Sequence, residues 1–255
     1  MKPYLSPAVF KIFAHRGSTE GGATENTIEA FEFAQNCGIT FMETDVQATA
    51  DGVAVVFHDD DLARTLGMKI RVSDLVLGEL KRISIAAGAE IPTLAELLLK
   101  LPTARFNIDF KSQGAITPGV YAIEAAKAQT RVLVSSFAHK RRLQVVEKLP
   151  DVATSGDALT LLQLWTLHKL GMRKVFARLC REIDALQIPV NFGPLRFDTQ
   201  TFVQWVRGNG LELHFWTIND YEEALRLKRL GATGIVTDQA KMMVERFRAE
   251  RVEII

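Results

Sequence analysis

Glu43 and Asp45 are the first residues whose types and spacing suggest chemistry. They lie two apart in an apolar stretch, flanked by Phe41 and Val46, and at that spacing both side chains of a strand point to one face. Two carboxylates on a buried face repel each other unless a positive group lies between them. A hard divalent cation is the usual partner of such oxygens, so the pair predicts a metal site.

A turn signal follows at Asp51-Gly52, a dipeptide that is typical of tight hairpins. Only residues 47–52 separate the two apolar arms, and a parallel crossover needs about a dozen residues or more, so the arms must pair antiparallel. A turn centred on Asp51-Gly52 places His58 opposite Asp45. A lone histidine after an apolar run is more often structural, but this combination predicts an imidazole beside two carboxylates.

The composition excludes several classes of protein. The chain has 255 residues, 47% of them hydrophobic, and a net charge of +1, which favours one large domain and gives no nucleic-acid footprint. Cys37 and Cys180 are far apart, form no metal pattern and fit a reducing compartment. Residues 1–8 show no leader pattern, and no apolar run reaches the roughly 18 residues of a spanning helix. We therefore expect a cytoplasmic protein.

Strand and helix patterns alternate along the chain. The strand patterns cover 10–15, 41–46, 105–110, 131–136, 152–155, 188–191, 211–217 and 234–237. The helical patterns cover 26–37, 94–100, 118–129, 138–149, 158–182, 199–208, 220–230 and 239–250. Eight strands that are each followed by a helix favour an α/β fold of the TIM (β/α)₈ type. An open doubly wound sheet is the alternative, but no Gly-x-Gly-x-x-Gly or P-loop pattern supports it.

Two segments are additional to the eight repeats. The arm at 53–57 belongs to the hairpin, and residues 59–90 carry no clear repeat, so we expect an insertion at the top of the barrel after the His58 motif. The whole chain, 1–255, is then a single domain.

In such barrels the active site lies at the carboxyl ends of the strands. Two histidines, three acids, an arginine and a lysine are predicted to meet there, namely His15, Arg16, Glu43, Asp45, His58, Asp109 and Lys111. Unpaired charges that are concentrated at one rim lower the stability of the fold unless they serve a function. Their predicted convergence therefore favours a functional site. Ser135, Ser136 and Trp216 end neighbouring strands, and each of them either lines this site or packs in the core.

These residues together resemble the glycerophosphodiester phosphodiesterase family. The matching motifs are His15-Arg16-Gly17, Glu25-Asn26-Thr27, Glu43-x-Asp45, Asp51-Gly52, His58-Asp59, Leu62-x-Arg64-Thr65, Ile91-Pro92-Thr93-Leu94, Asn107-Ile108-Asp109-x-Lys111, Ser135-Ser136-Phe137, Trp216-Thr217-x-Asn219 and Thr237-Asp238. The order of histidine, acid and histidine is also similar to that of the phosphatidylinositol phospholipase C barrels. The match runs in order over nearly the whole chain, although 138–210 matches only loosely.

The resemblance implies a barrel with an insertion after the His58 motif, and a divalent cation held by Glu43, Asp45 and Asp109. Mg²⁺ or Ca²⁺ are the expected ions, with Mn²⁺ as a further candidate. The family usually has Glu where this chain has Asp109. Because Asp reaches one methylene less far and Mg²⁺ demands tighter octahedral geometry than Ca²⁺, this departure bears on the choice of metal.

The implied activity is hydrolysis of glycerophosphodiesters to sn-glycerol 3-phosphate and an alcohol, with His15 and His58 exchanging protons. The glycerol 2-hydroxyl would attack first to give a cyclic phosphate, which water then opens. Arg16 and Lys111 are expected on the phosphate. Glu25 would orient Arg16 or lie near the metal, and Trp216 would line the substrate site.

Two other functions remain open. A lysophospholipase D-like enzyme would be favoured by an exposed apolar lip near 59–90 or 158–182, and a non-catalytic barrel that binds phosphate esters is kept open by Asp109. The 158–182 stretch mixes apolar and basic residues; we interpret it as one long outer helix of the barrel, with membrane contact at most peripheral. The expected partner is a small phosphodiester, not a nucleic acid, and the oligomeric state is not predicted.

Three polar residues are given structural interpretations. Asn26 is expected to cap the helix at 27–37, His139 to lie at a solvated helix start, and His214 to pack deep in the barrel.

Overall fold

Strands and helices alternate in the computed structural model, which describes residues 2–85 and 88–255. The strands are β1 (Lys11–His15), β2 (Phe41–Ala48), β3 (Ala54–Val56), β4 (Asp61–Leu62), β5 (Met68–Arg71), β6 (Arg105–Phe110), β7 (Val132–Ser135), β8 (Ala153–Thr154), β9 (Ala185–Pro189), β10 (Asn191–Phe192), β11 (Leu195–Arg196), β12 (Glu212–Trp216) and β13 (Gly234–Thr237).

Helices of two to three turns follow most of the barrel strands, and two shorter helices lie in the insertion. The helices are α1 (Ile28–Asn36), α2 (Ala63–Leu66), α3 (Leu77–Leu80), α4 (Leu94–Lys100), α5 (Ile116–Ala125), α6 (His139–Lys148), α7 (Ala158–Lys169), α8 (Arg173–Cys180), α9 (Gln200–Gly208), α10 (Tyr221–Leu230) and α11 (Ala240–Ala249). The predicted capping box at the start of α4 is present, because Thr93 Oγ accepts from the Glu96 amide at 3.1 Å and Glu96 accepts from the Thr93 amide at 2.7 Å.

Eight parallel strands form the barrel, in the order β8-β7-β6-β2-β1-β13-β12-β9. The two ends of this path meet at an isolated parallel bridge between Ser155 and Ala185, which closes the ring. The predicted TIM barrel is therefore confirmed, and the open doubly wound sheet is excluded. Strand β9 begins three residues earlier than its predicted range of 188–191 and ends at Pro189.

The interior of the barrel is layered because alternate residues of each strand point inwards. One layer is apolar and contains Phe13, Phe41, Leu133, Ala153, Ala185 and Val236. His15 and Glu43 come two residues after Phe13 and Phe41 on their strands, so they lie one layer closer to the carboxyl ends. The candidate site therefore rests on an apolar floor.

The 43–58 hairpin forms, but with a register one residue away from the prediction. Strand β3 pairs antiparallel to β2 with Val46 opposite Val56, so Phe57, not His58, meets Asp45, and its amide donates to the Asp45 carbonyl at 3.1 Å. The reason is the turn: Thr49 pairs with Val53 around a three-residue loop that contains Gly52 at φ 75°. Such loops carry a left-handed glycine at their end.

The insertion at 59–90 builds a small structure over β3. Strands β4 and β5 pair antiparallel, and the apolar residues Leu62, Val72, Leu80, Ile85 and Ile91 are buried against Val55 and Phe57. Residues 86 and 87 of this predicted insertion lie outside the described residues. The segment therefore has a core of its own and is held on the arm that leads to His58.

The predicted single helix at 158–182 is wrong, because two helices, α7 and α8, occupy that range. Gly171 between them has φ 71°, a left-handed conformation that ends a helix. Leu164, Phe176 and Cys180 bury their side chains, as expected for outer helices of a barrel. Within the described ranges, no helix has both the length and the apolar character needed to cross a membrane.

Candidate active site

A cavity of about 640 Å³ opens at the carboxyl ends of the barrel strands. The structure brings eight of the predicted site residues to its wall: His15, Arg16, Glu43, Asp45, His58, Asp109, Lys111 and Trp216. The ninth, Glu25, lies behind Arg16, which donates to it through Nη1 at 3.0 Å. Ser135 and Ser136 also line the cavity.

Glu43 is a buried carboxyl group with little positive charge at short range. Its Oε2 accepts from the Arg16 amide at 3.2 Å and lies 3.8 Å from His15 Nε2. Burial, reinforced by the nearby negative charge of Asp45, raises the pKa of Glu43 to about 8. The ionised form of Glu43 is therefore unfavourable unless a further positive group approaches it.

Asp45 is buried but lies beside two cationic side chains and one amide donor. Its Oδ1 lies 2.9 Å from Lys111 Nζ, and its Oδ2 lies 3.1 Å from Arg16 Nε and 3.2 Å from Asn26 Nδ2. Although burial opposes its charged form, Lys111 and Arg16 hold the pKa of Asp45 below its ordinary value. Asp45 is thus ionised and anchors both cations of the site.

Asp109 shares Lys111 with Asp45, since Lys111 Nζ also lies 2.6 Å from Asp109 Oδ2. The other oxygen, Oδ1, is buried without a hydrogen-bond partner. Burial raises the pKa of Asp109 against the opposing effect of Lys111. For Lys111, burial would lower the pKa, but Asp109 and Asp45 together raise it, so its ammonium group is retained.

The carboxylates can be tested for their fit to the implied divalent cation. Residues 2–85 and 88–255 contain no group of three His, Cys, Asp or Glu side chains arranged as ready ligands, and Lys111 bridges Asp45 and Asp109. The donor chemistry nevertheless fits a hard cation, which prefers carboxylate oxygens. Asp109 Oδ1 is an unpartnered buried acceptor, and Glu43 requires a positive charge before it ionises fully at neutral pH.

His15 ends β1 and is held by a carboxylate on its far side. Its Nδ1 lies 2.6 Å from Asp238 Oδ1, and Asn219 Nδ2 donates to the other oxygen of Asp238 at 2.8 Å. Because an ionised carboxylate only accepts, Nδ1 carries the proton and Nε2 faces Glu43 and the cavity. Burial would lower the pKa of His15, but the bond to Asp238 and the charge of Glu43 raise it.

His58 has the same arrangement on the opposite arm. Its Nδ1 lies 2.7 Å from Asp59 Oδ1, and Arg64 Nε donates to Asp59 Oδ2 at 2.6 Å. Gln47 Nε2 donates to the backbone carbonyl of Asp59 at 3.2 Å and so fixes the chain just after the histidine. His58 Nε2 is therefore the ring nitrogen that is available for proton transfer.

Glu25 joins the two histidine arms through arginines. It accepts hydrogen bonds from Arg16 and from Arg64. Arg64 in turn donates to Asp59. Arg16 itself has φ 54°, a left-handed conformation that turns its side chain towards the carboxylates. Of the two roles predicted for Glu25, the geometry favours orientation of Arg16.

Four residues support the site without having been assigned a role in it from the sequence. They are Asn26, which was expected to cap a helix, Gln47, and the motif residues Asp59 and Asp238. The cap of α1 is Thr27, whose Oγ accepts from the Ala30 amide at 3.3 Å, while Asn26 bonds Asp45 and Thr44 in the site. Gln47 continues the inward face that carries Glu43 and Asp45, a signal that the sequence did contain. The pairing of His15 with Asp238 joins residues from opposite ends of the chain and has no local signal.

The other histidines lie outside this cavity wall. His139 begins α6, as predicted, and its side chain is partly exposed, but its Nδ1 also pairs with the buried Asp157 at 2.8 Å. His214 is fully buried, as predicted, with its ring 4.6 Å from that of Phe13. Trp216 packs edge-on against Phe137, with ring centroids 6.0 Å apart, and Lys111 Nζ lies 5.5 Å from the Phe137 ring centroid. Both aromatic residues line the cavity.

Chemically, the cavity combines two carboxylate-backed imidazoles with two fixed cations and three buried acids. Such imidazoles serve as general acids and bases near neutral pH. The arginine and lysine favour an anionic substrate, and a phosphate group in particular.

Comparisons with known proteins agree with this chemistry. Residues 15–242 match the model of the glycerophosphoryl diester phosphodiesterase family. A probable glycerophosphodiester phosphodiesterase 2 of Mycobacterium tuberculosis is 37% identical over 231 residues, covering 90% of this chain and 88% of the relative. A glycerophosphodiester phosphodiesterase of Caldanaerobacter subterraneus is 30% identical over 252 residues, covering 93% of this chain and 97% of the relative.

The fold is shared with solved structures. The crystal structure of a glycerophosphodiester phosphodiesterase from Thermotoga maritima superposes with a TM-score of 0.72 and 26% identity, covering 93% of this chain and 98% of that one. The chain therefore belongs to the glycerophosphoryl diester phosphodiesterase family of phosphoric diester hydrolases.

Proposed function

We propose that this protein hydrolyses glycerophosphodiesters to sn-glycerol 3-phosphate and an alcohol, with His15 and His58 as the general acid and base. The observation that carries the proposal is that both histidines line one cavity and are each held at Nδ1 by a carboxylate, at 2.6 Å from Asp238 and 2.7 Å from Asp59. Each ring is thereby oriented, with Nε2 left to move a proton.

The remaining charged residues bind and orient the phosphodiester. Arg16 and Lys111 neutralise the phosphate, and both are fixed by Asp45, so little reorganisation is needed during the reaction. Glu25 acts as a positioning residue because it holds Arg16 through Nη1. Trp216, which lines the same cavity, is proposed to contact the substrate.

A divalent cation, Mg²⁺, Ca²⁺ or Mn²⁺, is proposed to be held by Glu43, Asp45 and Asp109. When bound, it would supply Lewis-acid polarisation of a phosphate oxygen and of the glycerol hydroxyl. Asp109 would offer its unpartnered Oδ1, and Glu43 would become fully ionised at neutral pH.

The histidine assignment is tested with His15→Ala and His58→Ala. Each should lower kcat on glycerophosphocholine by about 10²-fold or more, the usual scale for a general acid or base, with little change in KM because Arg16 and Lys111 remain. On a nitrophenyl ester of glycerol phosphate, whose leaving group needs no proton, the variant that lacks the first-step acid should recover. Near wild-type kcat in both variants would refute the mechanism.

The metal assignment is tested by thermal stability as well as by turnover. Metal-stripped protein should be inactive, and adding Mg²⁺ or Ca²⁺ should raise its Tm. Glu43→Gln should abolish that rise, and should itself raise the Tm of the metal-free protein, since it removes a buried carboxylate that is crowded by Asp45. The exposed Glu124→Gln is the control. An unchanged metal response in Glu43→Gln would refute the assignment.

A non-catalytic phosphate-ester-binding barrel is less consistent with the site, because simple binding does not require two histidines oriented by carboxylates. Location in the cytoplasm and membrane contact that is at most peripheral remain predictions from the sequence. Salt-sensitive, weak sedimentation with anionic liposomes would agree with the latter, and tight binding to neutral liposomes would contradict it.

A further inference from the structure

Arg64, on α2 of the insertion, bonds two carboxylates of different segments with one guanidinium group. Its Nε donates to Asp59 Oδ2 at 2.6 Å, and its Nη2 donates to Glu25 Oε1. Arg16 Nη1 donates to the same oxygen of Glu25 at 3.0 Å. Because Asp59 holds His58 at Nδ1, a chain of charged side chains runs from this imidazole through Arg64 to the arginine expected on the phosphate.

The geometry of this contact requires a guanidinium group. The N–H donors of arginine lie in one rigid plane, so a single side chain sets the positions of Asp59 and Glu25 relative to each other. A lysine ammonium acts as a point charge and imposes no such spacing. Burial opposes the charged form of Asp59, but its bonds to His58 and Arg64 hold the pKa of Asp59 below its ordinary value. The carboxylate that orients the imidazole is therefore ionised.

The insertion fixes the backbone of Arg64 through its own packing. Leu62, two residues earlier, is fully buried in the core of the insertion, and Leu66, two residues later, packs against that core. Helix α2 then ends at Gly67, whose φ is 70°. The Arg64 side chain is 52% exposed, so a rigid backbone carries a guanidinium group that reaches outwards to the two carboxylates.

Stability alone does not explain these contacts. Ion pairs that involve a half-exposed side chain contribute little to folding, and the insertion already has an apolar core. The two carboxylates share a different property, which is that each orients a residue of the cavity wall. Asp59 holds His58, and Glu25 holds Arg16.

We propose that Arg64 is a positioning residue through which the insertion fixes the His58 imidazole relative to Arg16. This inference rests on the proposed function, in which His58 moves a proton and Arg16 binds the phosphate. Without the positive charge of Arg64, the carboxylates of Asp59 and Glu25 would repel each other. Asp59 would then be free to turn away from Nδ1, and the imidazole would lose its fixed orientation and tautomer.

The first test is the kinetics of Arg64→Ala on glycerophosphocholine. The kcat should fall by about 10- to 100-fold, the scale that is typical of partners that orient a metal-binding histidine. KM should change less, because Arg16 is still held by Asp45. Arg64→Lys keeps the charge without the planar fork and should recover only part of the lost kcat. Arg71→Ala removes an exposed arginine of β5 in the same insertion and, as the matched control, should keep the wild-type kcat.

A double-mutant comparison shows whether Arg64 acts through His58. In a His58→Ala background, Arg64→Ala should cause little further loss of kcat, because the side chain that Arg64 positions is absent. If the loss is the same in the His58→Ala background as in wild type, Arg64 acts independently of His58 and the inference is wrong.

Histidine NMR spectra separate this inference from the proposed function, because they require no turnover. With labelled histidine nitrogens, at a pH where the imidazole is neutral, wild type should show His58 protonated at Nδ1, with the signals assigned by their loss in His58→Ala. Arg64→Ala should shift them towards a mixture of tautomers, and Arg71→Ala should not.

Failure to hydrolyse glycerophosphocholine would refute the proposed function, and the spectra would still decide whether Arg64 orients the imidazole. An unchanged tautomer in Arg64→Ala, with its Tm showing that the variant is folded, would overturn the inference. Should Arg64→Ala not fold, Arg64→Lys supplies the same comparison.

Discussion

Removal of the Asp157 side chain should strongly destabilise the fold, because this carboxylate has two structural roles. As the N-cap of α7, its Oδ1 accepts from the Thr160 amide at 2.9 Å. Its Oδ2 lies 2.6 Å from Arg142 Nε and 2.8 Å from His139 Nδ1. The side chains of Arg142 and Asp157 are only 2% and 0% exposed, so the pair is fully removed from water.

The cost of Asp157→Ala follows from these roles. Removing one partner of a buried ion pair leaves an uncompensated charge and costs about 3–5 kcal/mol. Losing a helix cap costs about 1 kcal/mol more. We therefore expect the free energy of unfolding to fall by about 4–6 kcal/mol. Asp157→Asn keeps an acceptor for the Thr160 amide and should lose only the part that comes from the charge.

Asp220→Ala is the matched control. Asp220 caps α10 in the same way, accepting from the Glu223 amide at 2.8 Å, but it is exposed, so its loss should cost only about 1 kcal/mol. Urea unfolding followed by circular dichroism, with the m-value checked for each variant, measures all three. If Asp157→Ala costs no more than Asp220→Ala, the reasoning about the buried pair is wrong.

Two further predictions concern the barrel interior and the loop after β1. Burial lowers the pKa of His214 despite the neighbouring Glu212, so below about pH 6.5 the unfolded chain binds more protons than the folded one. The free energy of unfolding therefore decreases as the pH is lowered, by at most about 1.4 kcal/mol per pH unit. His214→Gln should flatten this slope between about pH 7 and pH 5, measured by urea unfolding at each pH; an unchanged slope would contradict the assignment. Gly17 has φ 82°, and a Cβ there would lie 2.8 Å from the Ala30 carbonyl carbon, whereas Gly22 at φ 84° has open space. Gly17→Ala should therefore cost more stability than the about 1–2 kcal/mol of conformational strain in Gly22→Ala, and equal costs would show that contact with Ala30 does not matter.

The barrel and the convergence of the site were predictable because both depend on short periodicities. Glu43 and Asp45, two apart on a strand, had to share a face, and strand ends in a barrel meet at one rim. Turn details were less predictable: the hairpin register depends on whether the loop has two or three residues, and one residue changes every pairing. The split of 158–182 depends on the left-handed conformation of Gly171, which a helical periodicity does not reveal.

Partners that are distant in the sequence were the hardest to predict. The contact between His15 and Asp238 joins the ends of β1 and β13, which lie far apart in the sequence and become neighbours only in the folded barrel. Asn26 shows the opposite difficulty, since an asparagine before a helix is usually a cap, and here the competing bond to the buried Asp45 prevails. Tertiary contacts thus decide the role of a residue that local rules assign differently.

The junction that closes the barrel has a consequence for motion. Strands β2 and β6 pair over six residues, from Phe41 with Arg105 to Val46 with Phe110. In contrast, β8 and β9 meet through an isolated bridge, with Gly156 donating to the Ala185 carbonyl and Asp184 to the Thr154 carbonyl, each at 2.9 Å.

Segments with few backbone hydrogen bonds open at a lower free energy than the rest of a fold. On either side of this junction, the cavity is lined by Leu161 and Leu162 of α7 and by Phe192 and Leu195 of the hairpin of β10 and β11. A local separation of β8 from β9 would therefore widen the side of the cavity that is lined by α7 and this hairpin, while β1, β2 and β6 hold the charged residues in place.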